Sequence, residues 1–340
     1  GAAYVFTSND YGSWVQSGHI GAPDGTTSYN YFGISVSGLT SNIFLVGAYG
    51  GLGSVYVFTN NGYGNWVQSD KIAASDGESN DRFGNSVSGL SSSILVVGAY
   101  GADNYNGSVY VFTSNTYGSW VQSEKIVASD GENYDFFAYS VSGLSSSTFV
   151  VGAYGAGNSY TGSAYVFTRY DNGNSWTQLD KVVASDGENY DFFGQAVSGL
   201  GNSSFVVGAS GDDEMGSGSG SAYVFTSNAF GSWVQADKVI ASDGSDYDSF
   251  GHTVSGLSSS ALVVGSIGDD NAGTDSGSIY VFTSGNDGNW VQSDKVVASD
   301  STASDYFGYS VSGLSSSTYI VGAPYKDDGV ITSAGSVYVF

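Results

Sequence analysis

The residues best suited to chemistry are paired aspartates. They stand five residues apart in Asp76/Asp81, Asp130/Asp135, Asp186/Asp191, Asp243/Asp248 and Asp300/Asp305. The first copy departs, with Asp24 followed by Tyr29. Two readings fit. Ca2+ is a hard cation that gathers carboxylate and carbonyl oxygens, so each pair is a candidate ligand set. Alternatively each Asp caps a turn by accepting from nearby backbone N–H groups. Recurrence in every later copy favours the turn. A looser acidic set varies from copy to copy: Asp103 with Asn104 and Asn106; Asp212, Asp213 and Glu214; Asp269, Asp270, Asn271 and Asp275; Asp327 and Asp328. Such variation suits either ligand contacts or drift in solvated loops, and loops are commonly polar.

Other reactive groups are sparse. There is no Cys, so neither a disulfide framework nor a thiolate metal site can form. The two histidines, His19 and His252, have different contexts, and no H-E-x-x-H or G-x-S-x-G occurs. A glycosidase needs one distinct carboxylate pair in a cleft, whereas here the pairs are copied along the chain. An enzyme is therefore not expected. Asn106-Gly107-Ser108 and Asn202-Ser203-Ser204 fit the N-glycosylation sequon.

The frame that positions these residues is a repeat. The lead phenylalanines Phe32, Phe83, Phe137, Phe193, Phe250 and Phe307 recur with a period of 51 to 57 residues. Stacked copies of one unit are the natural reading. Each copy holds four strand-like segments. A is F-G-x-S-V-S, alternating in character. B is L-V-V-G-A, a short apolar run expected to be buried on both faces. C is G-S-V-Y-V-F, and D is W-V-Q-S-x-K-I. The A–B and C–D connections have the Ser/Gly/Asn chemistry of antiparallel hairpins. Four antiparallel strands repeated six times predict a six-bladed β-propeller, one domain spanning residues 1–340.

The Y-V-F of segment C occurs seven times, at Tyr4, Tyr56, Tyr110, Tyr165, Tyr223, Tyr280 and Tyr338. Residues 1–20 thus supply a C–D pair, and the Trp14 strand is expected to complete the last blade and close the ring. One C copy, 1–6 or 335–340, would be displaced. An exposed strand edge of that kind invites pairing with another molecule. The opening Gly1-Ala2-Ala3-Tyr4 reads as a processed chain or a segment of a longer one.

Net charge is −24, with only eight basic residues, which disfavours nucleic acid and anionic membrane surfaces as partners. No apolar run approaches a bilayer span. All but Asp10, Asp171 and Asp287 of the 32 acidic residues fall in or beside the B–C and D–A connections. One face should be strongly negative and the other nearly neutral. Lys71, Lys125, Lys181, Lys238 and Lys295 each follow an acid and read as exposed pairs, worth about 0–1 kcal/mol each. The six segment-D tryptophans could stack on sugars; their fixed place in a strand favours packing between blades.

With these motifs in view, the chain resembles the FG-GAP repeats of integrin-α-type β-propellers. Trp120, Gln122, Lys125 and Ala128-Ser129-Asp130-Gly131, then Gly152-Ala153, then Gly162-Ser163-Ala164-Tyr165-Val166-Phe167 carry the likeness. There are departures. Phe137 is followed by Ala138, and Gly-Ala-Pro is complete only at Gly322-Ala323-Pro324. The A–B connection is S-G-L-S-S-S and lacks the D-x-D-x-D-G calcium loop of integrin-like members, so calcium at that family position does not carry over. The resemblance implies a secreted or cell-surface module, adhesive or structural, and no reaction. Its partner would be a protein, including further copies in an oligomer or filament. A glycan-binding propeller is the alternative.

Overall fold

The structure is a computed structural model. It describes residues 1–8, 12–24, 30–115, 118–170, 175–285, 287–327, 329 and 331–340. Asp10, Tyr29, Asp171 and Asp328 lie outside the described residues. The fold class is the expected one, all-β and built from antiparallel blades of a six-bladed β-propeller.

Two compact units divide the chain, residues 1–141 and 142–340. In the first, β1 (Ala2–Ser8) and β2 (Trp14–Gly21) form a hairpin. The first blade is β3 (Ser35–Thr40), β4 (Ile43–Ala48), β5 (Ser54–Asn60) and β6 (Trp66–Ile72). The second is β7 (Ser86–Ser91), β8 (Ile94–Ala99), β9 (Ser108–Ser114) and β10 (Trp120–Ile126). β11 (Ser140–Ser145) begins just before the boundary. It leads the third blade, with β12 (Thr148–Ala153), β13 (Ser163–Thr168) and β14 (Thr177–Val182). The fourth blade is β15 (Ala196–Gly201), β16 (Ser204–Ala209), β17 (Ser221–Ser227) and β18 (Trp233–Val239). The fifth is β19 (Phe250–Ser258), β20 (Ala261–Ser266), β21 (Ser278–Ser284) and β22 (Trp290–Val296). The last sheet has three strands, β23 (Ser310–Ser315), β24 (Thr318–Ala323) and β25 (Ser336–Val339).

Both terminal C copies are paired. β1 runs antiparallel to β2, with Trp14 opposite Ser8, and β25 runs antiparallel to β24. The expected displacement of one of them is therefore corrected, and so is the expected place of the Trp14 strand: it pairs with β1 and does not complete the last sheet, and β1 and β25 are each the edge strand of their sheet.

The B strands are buried on both faces, as their unbroken apolar runs demand; every residue of β8, β16 and β20 is buried. A blade has no other way to hide both surfaces than to lie between neighbours. Accordingly each core joins consecutive sheets. Leu45, Val55 and Val57 of the first blade meet Leu95, Val97 and Trp120 of the second. Val150 and Val166 of the third meet Phe205, Val207 and Trp233 of the fourth. Each such aliphatic or aromatic side chain contributes roughly 1.5–3 kcal/mol by burial. Trp120, Trp176 and Trp233 are buried, and the last two lie on Phe149 and Phe205 at 4.8 and 4.9 Å between centroids. Those tryptophans pack between strands and offer no exposed stacking face for a sugar.

Two local features set the blade-to-blade geometry. The B-strand glycine lets backbones touch: a β-carbon on Gly208 would overlap the carbonyl oxygen of Gly251 at the start of the next blade. The D strand carries a bulge just after its Gln, where the register against strand C slips. A bulge breaks the simple in-and-out alternation and re-aims the residues that follow.

Candidate functional site

Segment D reads W-V-Q-S-D-K in several copies, and its polar side chains clasp both neighbours. The D-strand aspartate reaches forward. Asp70 accepts from the backbone N–H of Trp120 at 2.8 Å, Asp180 from Trp233 at 2.9 Å, and Asp237 from Trp290 at 2.8 Å. The glutamine reaches back. Gln122 accepts from the N–H of Ser75 at 2.9 Å, Gln235 from Ser185 at 3.0 Å, and Gln292 from Ser242 at 3.0 Å. These acids lie inside strands and tie blades together, a role the sequence reading missed by assigning them to the loop ends.

The paired aspartates divide their labour. The first of each pair meets a lysine from the following blade: Lys125–Asp76 at 2.8 Å, Lys238–Asp186 at 2.7 Å and Lys295–Asp243 at 2.7 Å. Asp24 meets Lys71 in the same way and also accepts from the Tyr56 hydroxyl. Asp300 accepts from the Tyr338 hydroxyl at 2.8 Å. Asp130 has partners among the described residues. The second of each pair turns inward onto the backbone three residues earlier. Asp81 accepts from the N–H of Glu78, Asp135 from Glu132, Asp191 from Glu188, Asp248 from Ser245 and Asp305 from Thr302, at 2.6–2.9 Å. Burial pushes Asp191 and Asp248 up to about 6, against the pull of those N–H donors.

The two members of a pair thus do different work, and no cluster of three or more acidic or histidine side chains suited to a metal occurs among the described residues. Titrating chelator, then Ca2+, is expected to leave the melting temperature unchanged. A calcium-dependent rise would restore the ligand reading of the pairs.

The variable B–C acids are not all solvated. Asp212 and Asp269 are each 4% exposed. Asp269 accepts from Ser278 at 2.7 Å, Tyr280 at 2.9 Å and Lys295 at 2.6 Å; Asp212 accepts from Ser221 at 2.8 Å, Tyr223 at 2.6 Å and Lys238 at 3.1 Å. Lys238 and Lys295 are therefore largely sunk in these networks, not exposed as the sequence suggested. The five D-strand lysines also lie over the C-strand tyrosines, 5.1–5.5 Å from the ring centroids. Cross-strand register puts them there: Tyr223 pairs with Lys238 and Tyr280 with Lys295. In the last sheet Lys326, from the B–C connection, provides the buried cation and pairs with Asp305 at 3.1 Å.

Of the two sequons, Asn202 is exposed at an A–B turn. Asn106 lies against Gly131, and its Ser108 is fully buried. His252 is held neutral; burial lowers its pKa from 6.5 to about 4. Its imidazole lies 3.2 Å from the Gln195 amide. The unfolded chain takes up a proton there between pH 6.5 and 4 while the folded one does not, so acidification through that window costs stability. His252→Gln is expected to gain on the wild type by up to about 3 kcal/mol as pH falls across it. Parallel melting curves with pH would show otherwise.

What these loops leave over is mostly aromatic, although Asn80 and Arg82 hold the same two positions around Asp81. Two residues flank the inward aspartate in each D–A loop, and both have left-handed backbone. Tyr134 and Phe136 have φ of 70° and 54°, Tyr190 and Phe192 68° and 58°, Tyr247 and Ser249 66° and 55°, and Ser304 and Tyr306 64° and 53°. Tyr31 has φ 54°. Backbone bonds to the preceding B–C connection hold this shape: Tyr190 N–H donates to Ser159 and Phe192 N–H to Tyr160. Gly or Asn would adopt it cheaply, whereas a bulky side chain costs about 1–2 kcal/mol there. The rings are nonetheless on show, Tyr134 at 57%, Tyr190 at 58% and Tyr247 at 72% exposure. Rings of the preceding B–C connection stack on two of them, Tyr105 on Tyr134 at 5.8 Å and Tyr160 on Tyr190 at 6.1 Å. The Y-D-F-F and Y-D-S-F strings carry this signal in the sequence.

A family model described as FG-GAP repeat matches residues 66–112, 120–167, 176–225, 233–282 and 290–340. Each matched segment runs from a D strand to the next C strand. The copy from Trp14 to Phe58, which has Gly18 and His19 where later copies have an acid and Lys, lies outside them. A search of the curated proteins finds no match.

Proposed function

Because the chain belongs to the FG-GAP repeat family, we propose that it is a non-catalytic extracellular module that attaches to other molecules through its D–A and B–C loops. The observation carrying this reading is the set of exposed rings on left-handed backbone. Strain kept in repeated copies, where Gly would relieve it, points from the outlier to a use for the side chain. The carboxylates support the same reading from the other side. They are copied in structural roles, and among the described residues no singular acid–base pair stands apart from them. No helix among the described residues is long and apolar enough to cross a membrane. Both terminal C copies have a strand partner, which supports attachment through the loops over attachment through a displaced strand.

Beads coated with the protein are the test. They are expected to hold intact cells or secreted polymer of the source organism, and beads bearing the triple variant Tyr134→Ser, Tyr190→Ser, Tyr247→Ser to release them. Equal retention would refute the loop reading. Surface location is checked separately, by protease treatment of unbroken cells, which should consume the protein.

A second reading, saccharide binding, is favoured by what surrounds the rings. Hydroxyl and carboxylate groups beside an exposed tyrosine offer a pyranose both a stacking face and hydrogen bonds. A glycan array without hits would sink it.

A further inference from the structure

The second, saccharide-binding reading leads to one particular place. Between the last D–A loop and the B–C connection of the final sheet lies a cavity of about 610 Å³, within the roughly 300–1,000 Å³ usual for small-ligand sites. Its lining includes Thr302, Tyr306, Tyr309, Tyr325, Asp327 and Ser333. Three tyrosines and several short hydroxyl side chains converge there, and among the described residues Ala303 is the sole aliphatic one of the lining.

The rings are arranged to present faces as well as edges. Tyr306 and Tyr325 meet edge to face at 5.4 Å between centroids, and Tyr309 and Tyr325 are 44% and 50% exposed. Tyr306 is one of the left-handed aromatic residues, with φ 53°. Its backbone is fixed by donation from its N–H to the Asp275 carbonyl at 3.2 Å. The cavity floor is rigid for an independent reason. Asp305 is buried and takes both the Thr302 N–H at 2.6 Å and the Lys326 ammonium at 3.1 Å. Asp327 takes the Ser333 N–H at 2.7 Å, which holds the B–C side of the wall.

We propose that this cavity is a subsite for a neutral saccharide. The apolar C–H face of a pyranose packs on Tyr325 or Tyr309, whose rings are open to solvent. Its hydroxyls find the Thr302, Ser333 and Asp327 side chains at the rim. Charge selects against acidic sugars. The lysine beside the cavity is already committed to Asp305, Asp327 adds a carboxylate, and the whole chain carries −24. A uronate or sialate would meet that field unfavourably. This inference rests on the saccharide-binding reading but is narrower than it, because it names one site and one ligand class.

The test is saturation-transfer difference NMR on the full chain. Lactose, cellobiose and N,N′-diacetylchitobiose are the probes, with sialyllactose as the anionic control. At least one neutral disaccharide should receive transfer, and sialyllactose should bind more weakly. Tyr325→Ala should weaken the neutral probe by about tenfold or more, the effect of losing a stacking anchor, and Tyr306→Gly should weaken it too by removing the edge-to-face contact that steadies Tyr325. Tyr306→Gly should do so with an unchanged or raised melting temperature, since Gly accepts the left-handed backbone. Should Tyr306→Gly not fold, Tyr325→Ala at an exposed position decides alone. Transfer unchanged in the variants would overturn this site and leave saccharide binding standing elsewhere. No transfer from any neutral probe would overturn both. Tighter binding of sialyllactose would overturn the ligand class.

Discussion

Gly208→Ala is expected to destabilise the fold by about 3 kcal/mol or more. Gly208 sits in β16, and its added β-carbon would meet the Gly251 carbonyl oxygen and carbon, with the Gly251 Cα at 3.3 Å. Those are backbone atoms at the entrance of the next blade. They cannot swing aside as a flexible side chain would. To make room, the fourth and fifth blades must separate along their shared core of Val206, Val224, Leu262 and Val264. Overpacking in a tight core typically costs about 1–3 kcal/mol, and a rigid backbone obstacle sits at the top of that range. Urea denaturation should show the midpoint falling sharply. Gly38→Ala is the control. It lies in β3 with nothing within 4 Å of the added carbon and should be neutral or slightly stabilising. Comparable midpoints for the two variants would refute the close-approach account.

Asp269→Ala is expected to cost a similar amount, about 3–5 kcal/mol, by a different mechanism. Removing this buried carboxylate strips one acceptor from Lys295, Tyr280 and Ser278 together. The ammonium keeps Asp243, which is itself half exposed. Burial works against ionisation of Asp269, yet the bonds from Lys295, Ser278 and Tyr280 outweigh it and hold the carboxyl below its ordinary value. A group with a depressed folded pKa stabilises at neutral pH. That contribution is lost as pH falls through the folded pKa, below the usual carboxylate range. The variant should therefore lose part of the acid-side decline that the wild type shows. Asp269→Leu combined with Lys295→Met should recover much of the loss, because an apolar pair replaces a charge left without its partner. If the double variant were as unstable as the single one, packing and not charge pairing would be the cause.

The sequence made the strands legible and left the clasps hidden. Trp120–Ile126 and the B runs could be located by eye because their patterns are local: alternation, an unbroken apolar stretch, a Ser/Gly turn. The partner of Lys238 could not be found that way. Asp186 and Asp212 lie 52 and 26 residues from it, and nothing in a linear pattern says which acid a lysine will meet. The bulge after each D-strand Gln compounds this. It turns Asp237 toward Trp290 and lets Lys238 lie over Tyr223, where strict alternation would have sent the lysine into solvent. Asp212 and Asp213 show the same limit at its sharpest. They are neighbours in the chain, yet one is buried beneath Tyr223, and the other accepts an exposed bond from Gly218. The aromatic positions were visible as letters, but their left-handed backbone depends on bonds to a loop some thirty residues earlier.

The forward and backward clasps of strand D have an evolutionary corollary. At three of the junctions a copy offers its successor a carboxylate acceptor and a Ser N–H donor, and its predecessor a glutamine acceptor and a Trp N–H donor. A unit duplicated whole, from one Trp to the next, would arrive already matched on both sides. Gain or loss of a complete copy by recombination is then far gentler to such a chain than a change of a few residues within one, and repeat number becomes the dimension along which relatives can most easily diverge.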